Sequence, residues 1–471
     1  MSSSSPATTL VRGLGLTAAI AIVIGDVIGT GVYLKARVMT CNVGTPELVI
    51  AAWVVAGLLS LAGALAYAEL GAMMPHTGGE YVYMREAYGR LWAFLFGWMR
   101  FFIGSGGGNA ALAAGLAIFI NVLTGGLLGA HDFRLPLAGG FELHLGALEV
   151  VAVTAIVLVT VANCAEVAMS GRIASVLSTL KVLLIVGLGI SAFLFGHGDW
   201  SHFAQSGASG TCEGVSEAAR GGLAGFGAAM MAAMWAYNGW NELTYVSGEI
   251  ADPRRNIPRA LVAGIGIVGL LYVFVNTSYF FVLPPTVIAS LGASSATATA
   301  AAATFLGEYA GRLMAAVLAM SIASALVVAN LVSARIPYAM AVDGLFFRSL
   351  AHVSVRTRVP IRALIAQSAW TIILVLSGSF DALTDYTIFA ILAFSTMLGA
   401  SLFLHRIRRP DAERAYRTFG YPVVPALFLL VTLWLVINTL MTAPGQALAG
   451  LGLIALGVPF YWYWSRGTDR T

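Results

Sequence analysis

Stretches of about twenty apolar residues recur along this chain from Leu16 to its last few residues, with almost no charge inside them. That pattern excludes most folds. A soluble domain covers its surface with roughly 25% charged residues, whereas only 10% of these 471 residues are charged and 59% are hydrophobic. Such a chain cannot cover itself in water, and a mean hydropathy of +0.85 says the same. Crossing a hydrocarbon core ~30 Å thick takes about 20 apolar residues in a helix. The expectation is therefore an all-α polytopic membrane protein. Its first apolar run is long and has no small-residue cleavage site, so it is expected to be retained rather than removed as a signal.

Reading the apolar runs against Gly, Pro and charge clusters gives twelve candidate helices: 14–38, 46–73, 88–124, 146–166, 172–196, 221–250, 258–283, 304–343, 360–378, 382–404, 422–442 and 446–465. With the N-terminus in the cytoplasm and the loops alternating, 19 of the 26 Lys and Arg residues fall on the inner side and 5 on the outer. Arg100 and Lys181 remain inside helices. This asymmetry is the positive-inside signature. It supports twelve spans with both termini cytoplasmic, and it accounts for a pI near 9.0 without a nucleic-acid partner. The histidines lie in or beside loops, and Cys41, Cys164 and Cys212 have no short spacing, which argues against a metal site, a cofactor or a disulfide framework. Cys41 and Cys212 share the outer side, so a bridge between them stays open.

Two runs carry weak points at their middles. Segment 14–38 contains Gly25, Gly29, Thr30 and Gly31, and segment 221–250 contains Asn238 and Gly239. Glycine costs about 1 kcal/mol against alanine inside a helix. The two segments are corresponding members of two five-helix halves, 14–196 and 221–404, with 422–465 added after them. Interrupted helices at matching positions of two halves point to a transport site at the bilayer midplane. Where a helix unwinds there, one half presents bare carbonyls and the other bare N–H groups. The half-helix after Gly31 suits a carboxylate, and the carbonyls of Val27, Trp235 and Ala236 suit an ammonium group. Together they match a zwitterionic α-amino acid, each dipole adding roughly 0.3–2 kcal/mol. The alternative for Gly-x-Gly alone is a close-packing surface between helices.

The same residues carry a family resemblance. Ile28-Gly29-Thr30-Gly31-Val32, Tyr67-Ala68-Glu69-Leu70-Gly71, Pro75-His76-Thr77-Gly78-Gly79-Glu80-Tyr81, Trp235-Ala236-Tyr237-Asn238-Gly239-Trp240-Asn241, Glu249-Ile250-Ala251-Asp252-Pro253 and Asn256-Ile257-Pro258 resemble the amino acid–polyamine–organocation (APC) superfamily. The likeness is to its L-type amino acid transporter (LAT) branch. It implies a LeuT-type fold, with a 5+5 inverted repeat and two additional helices. It also implies that Ile28, Gly29, Thr30 and Gly31 form the carboxylate-binding turn, and that Val27, Trp235, Ala236 and Asn238 supply the amino-group contacts. Trp235 is implied as the outer aromatic gate; an interface-belt tryptophan is the alternative, but this one sits near mid-helix. A neutral amide at Asn238, where relatives taking cationic amino acids often carry an acid, argues for neutral substrates. The loop around 125–145 has no cysteine, so the disulfide that ties animal relatives to an ancillary glycoprotein has no anchor. A bacterial-type, stand-alone subunit in the cell inner membrane is expected.

Two charges lie deep in apolar segments. Lys181 is about 14 Å past the start of its helix at 1.5 Å per residue, too deep to snorkel to the headgroups. An unpaired charge there costs at least ~2.5–3.5 kcal/mol, so Lys181 is expected to have a partner or to shed its proton. The resemblance places Lys181 where related transporters use a lysine in place of sodium, bonded to carbonyls of the first helix. Asp26 is at similar depth, and the two are expected to form a buried pair or share a proton. An aspartate kept neutral, or facing a water-filled cavity, is the alternative. Glu69 and Asp343 are candidates for pairs with Arg85, Arg335 and Arg348 at helix ends.

The functional expectation is secondary active transport of neutral L-amino acids by alternating access, through exchange or proton coupling. The rivals are a proton-coupled permease for cationic amino acids, polyamines or amines, and a channel or sensor. An enzyme is not expected, because no Ser/His or metal-spaced His/Asp constellation occurs in the helices.

Overall fold

The computed structural model describes residues 10–130, 134–136, 142–165, 167–207, 209–292, 296–377, 380–442 and 444–468. Apolar runs become helices up to the Gly, Pro and Asn residues that interrupt them. In order these are α1 (Leu16–Val27), α2 (Gly31–Val43), α3 (Pro46–Met73), α4 (Glu80–Tyr88), α5 (Arg90–Met99), α6 (Ser105–Leu123), α7 (Ala147–Asn163), α8 (Val167–Phe195), α9 (Gly222–Tyr237) and α10 (Pro253–Val282). There follow α11 (Pro285–Ala289), α12 (Thr297–Leu306), α13 (Ala310–Ser333), α14 (Arg335–Val342), α15 (Ile361–Leu376), α16 (Phe380–Arg408), α17 (Val423–Thr442), α18 (Pro444–Ala455) and α19 (Gly457–Thr468). Among the described residues, eight segments are long and apolar enough to cross a membrane, and α1 with α2, bent by 44°, makes a ninth. The protein is a multi-pass helical membrane protein. One antiparallel hairpin, β1 (Arg134–Pro136) with β2 (Glu142–His144), departs from the all-helical expectation.

Several boundaries differ from the sequence reading, each for a local reason. The helix expected at 14–38 splits, and its second half runs on to Val43. Lys35 and Arg37, two of the five basic residues assigned to the outer side, therefore sit on α2. Helix α4 was not expected, because its sequence is polar rather than an apolar run. Segment 88–124 is one span interrupted by a π-helical turn at Arg100–Gly104. Segment 304–343 breaks near Ala334, just before Pro337, whose ring cannot donate the helical hydrogen bond.

Lipid tails are as apolar as leucine, so helices associate here through close packing and hydrogen bonds rather than burial from water. Small residues set the approach. A Cβ on Gly264 of α10 would lie 2.5 Å from a Val23 methyl of α1, and one on Gly57 of α3 would lie 2.7 Å from the Tyr237 hydroxyl of α9. α1 accordingly packs on α10 and α8, and α2 on α9. The two interrupted segments are thereby held side by side.

The two ends of this assembly are fastened differently. At one, Leu14 donates to the Glu249 carbonyl at 3.0 Å and accepts from the Ala251 amide at 2.8 Å. Arg335 meets both Glu249 oxygens at 2.8 Å, with both side chains fully buried. Arg85 pairs with Asp343 at 2.6 Å. Glu69 is held not by Arg85, Arg335 or Arg348, as expected, but by Arg406 at 2.7 Å and the Thr418 amide at 2.7 Å. At the other end, Cys41 and Cys212 form a disulfide with a Cα–Cα distance of 5.6 Å. Around it Arg37 donates to the carbonyls of Leu291, at 2.6 Å, and Glu213.

Candidate functional site

Helix α1 ends at Val27 because Ile28 leaves helical space at ψ 87°, and α2 restarts at Gly31. The Gly29 amide folds back to the Val27 carbonyl at 2.9 Å. The first amides of α2 are then left without intrahelical acceptors, as at any helix start. In the second segment, α9 stops at Tyr237. Asn238 is extended, and Gly239 takes φ +116°, a conformation that favours glycine. The chain resumes as a 3₁₀ helix over Trp240–Glu249. Both expected interruptions are present.

The interruptions touch. A Cβ on Gly31 would lie 2.5 Å from the Ala236 Cβ and 2.8 Å from its Cα, so glycine is what lets the two backbones meet. Gly29 has nothing within 4 Å of its would-be Cβ: it faces open space. That space is a cavity of about 830 Å³, counting the room that opens out of it. Asp26, Val27, Gly29, Thr30, Gly31, Trp235, Ala236 and Asn238 all line it, while Ile28 is fully buried behind the turn. Trp235 and Asn238 also line an adjoining apolar pocket with Ile391, Phe428 and Thr432.

Backbone dipoles here are already partly engaged. Lys181, fully buried on α8, donates to the carbonyls of Gly25 at 2.8 Å and Ile28 at 2.6 Å. The Tyr272 hydroxyl of α10 reaches the carbonyls of Val27 at 3.1 Å and Ala236 at 2.9 Å, tying the two interruptions together. The Trp235 carbonyl takes the Asn238 amide at 3.1 Å. Val27 thus accepts two hydrogen bonds, from the Gly29 amide and the Tyr272 hydroxyl, while the carbonyls of Trp235 and Ala236 keep a second lone pair for a ligand.

The Asp26–Lys181 pair expected from matched depth is not formed. The ammonium is turned to the Gly25 and Ile28 carbonyls, and the Asp26 carboxyl points toward Gly239 and Glu242 instead. Depth along two helices fixes how far each group lies from an end, not the direction it faces. Sequence reasoning placed Arg100 inside a helix without giving it a role, and passed over Glu242 and Tyr272. Their signal was available as polar groups inside apolar runs, but nothing local says which of them meet.

The profile of the amino acid permease family matches residues 14–461, nearly the whole chain. The chain belongs to the amino acid permease family. It is 30% identical over 455 residues to the serine/threonine exchanger SteT of Bacillus subtilis (strain 168), covering 96% of this chain and 97% of that one. It is 26% identical over 459 residues to the mouse b(0,+)-type amino acid transporter 1, covering 96% and 88%. It is 28% identical over 469 residues to the mouse large neutral amino acids transporter small subunit 2, covering 98% and 83%. These relatives are transporters and exchangers, so this family member is a transport protein and not an enzyme. The resemblance read from its motifs was correct.

Proposed function

We propose that this permease is a secondary active transporter that exchanges neutral L-amino acids across the cell inner membrane by alternating access. The observation that carries the reading is the contact of two interrupted helices, at Gly31 and Ala236, on a cavity lined by both. The open amides after Gly29 take the substrate carboxylate, and the free lone pairs on Trp235 and Ala236 take its ammonium, with the Val27 carbonyl joining them by giving up the Tyr272 hydroxyl. Asn238 lies beside the side chain, and Trp235, shared by both pockets, closes one path. Lys181 relays movements of α1 to α8.

The same reading assigns twelve spans in a LeuT-type arrangement. Residues 14–196 and 221–404 form the inverted repeat, 422–465 add two helices, and both termini lie in the cytoplasm. Two observations support that orientation: the basic residues crowd one side, and disulfides persist in oxidising compartments, which suits the Cys41–Cys212 end facing outward. A stand-alone subunit fits the absence of cysteine from 125–145. One observation favours a second reading, a proton-coupled permease for cationic amino acids, polyamines or amines: the carboxyls of Asp26 and Glu242 both line the cavity.

Counterflow in proteoliposomes separates the two. Labelled serine or leucine should enter only vesicles preloaded with a neutral amino acid, with little competition from arginine or putrescine. Uptake confined to arginine or putrescine, or unsaturable flux without internal substrate, overturns exchange of neutral amino acids.

A further inference from the structure

Three charged groups in the cavity have no part in holding the backbone of an amino acid: Asp26, Arg100 and Glu242. Arg100 is carried to its place by the π-helical turn that interrupts the third span, and is only 2% exposed. Its guanidinium pairs with Glu242 and lies 5.3 Å from the centre of the Tyr245 ring. Glu242 follows the break in the second interrupted segment, and Asp26 precedes the break in the first. Because the breaks adjoin, these two carboxyls come within hydrogen-bonding reach of one another. The Asp26 Oδ2 is buried and receives no hydrogen bond from the protein. Two carboxyl oxygens in contact cannot both be ionised without strong repulsion, and a single shared proton relieves it.

The surroundings supply the charge balance. Facing the pair are Lys181 from α8, Arg100 from the π-helical turn and Glu80 from α4. Tyr272 of α10 and Tyr245 are phenols, and α13 presents Ala329. Arg335 of α14 is engaged by Glu249 at the far end of the 3₁₀ segment. Lys181 is turned to the Gly25 and Ile28 carbonyls, and Glu80 accepts from Asn241 at 2.9 Å and from Tyr245. With Lys181 protonated, three carboxyls therefore face two cations. One proton makes the group neutral, and of the three carboxyls Asp26 and Glu242 are the two within hydrogen-bonding reach of each other.

We propose that Asp26 and Glu242 hold one proton between them, and that its loss switches the cavity from neutral to cationic amino acid side chains. The inference rests on reading the cavity as an amino acid site. On release, the O–H bond breaks and the proton passes to cavity water, leaving the pair doubly negative. A substrate ammonium or guanidinium then restores neutrality. The two rival substrate readings become two protonation states of one site.

Infrared difference spectroscopy on the reconstituted protein, stepped through pH without substrate, reads the carboxylic acid carbonyl band directly. We expect a deuterium-sensitive band that titrates in the native protein and is missing from both Asp26→Asn and Glu242→Gln. Either near-isosteric variant suffices if the other fails to fold. A band that persists in both, or its absence from the native protein, overturns the shared proton and leaves the transport reading intact. Substrate-induced thermal stabilisation then tests the switch, with serine and leucine against lysine and arginine. The affinity ratio of cationic to neutral ligands should rise with pH by up to about tenfold per unit, the limit for one proton, and be flat in either variant. A flat ratio in the native protein overturns the switch. A titrating band with no stabilisation by any amino acid overturns the switch together with the substrate reading.

Discussion

The two interruptions solve the same problem with different partners. At Ile28–Thr30 the freed carbonyls are held by a charge, the Lys181 ammonium arriving from α8. At Asn238–Gly239 the carbonyl of Ala236 is held by a neutral phenol, Tyr272 of α10, which the Val27 carbonyl shares. The chain beyond also differs: α2 is a regular α-helix, whereas Trp240–Glu249 is wound as 3₁₀, whose hydrogen-bond geometry is poorer. The first interruption is therefore a firmly clamped joint and the second a looser one. An interrupted helix can be made stiff or compliant according to what satisfies its exposed carbonyls.

The largest effect should come from removing the clamp. Lys181→Met strands the Gly25 and Ile28 carbonyls, at about 1–3 kcal/mol each. Thermal unfolding in detergent should show a large fall in apparent stability, with uptake lost; a native-like melting curve would erase the distinction between the joints. Next is Gly31→Ala, which drives a methyl into Ala236. Overpacking of this kind costs about 1–3 kcal/mol, and the double variant with Ala236→Gly should recover only part of it, because the Ala236 Cα at 2.8 Å remains, as a double-mutant cycle would read. The smallest is Tyr272→Phe. It removes one hydroxyl from two carbonyls that retain other neighbours, for about 0.5–1.5 kcal/mol. If its unfolding penalty matched that of Lys181→Met, the two joints would be equivalent.

The places where helices fail were legible because glycine and asparagine stand out inside apolar runs, and Gly29, Gly31, Asn238 and Gly239 do so plainly. Lys181 was legible for the same reason: a charge in such a run must find a partner. What could not be read was which partner. Asp26 and Lys181 match in depth but face different neighbours, a matter of rotation about α1 that periodicity in an all-round apolar helix does not encode. Arg100 meets Glu242 from the start of a π-helical turn that hydropathy does not reveal, and Tyr272 looks like any aromatic in a long apolar span. The short α4 escaped because hydropathy finds spans, and α4 is not one.

The disulfide has a mechanical consequence. By joining Cys41 to Cys212 across a separation of 171 residues, it turns the stretch from α2 to the segment before α9 into a closed ring. The Asn42 carbonyl also accepts the Gly221 amide, at 2.7 Å, one residue before α9 begins. Displacing the tail of α2 thus drags the head of α9 along with it. The opposite tips, joined through Leu14 and Glu249, are linked among the described residues by hydrogen bonds and ion pairs that can be traded for others. One extremity is a weld and the other a latch, and separation of the two segments has to begin at the latch.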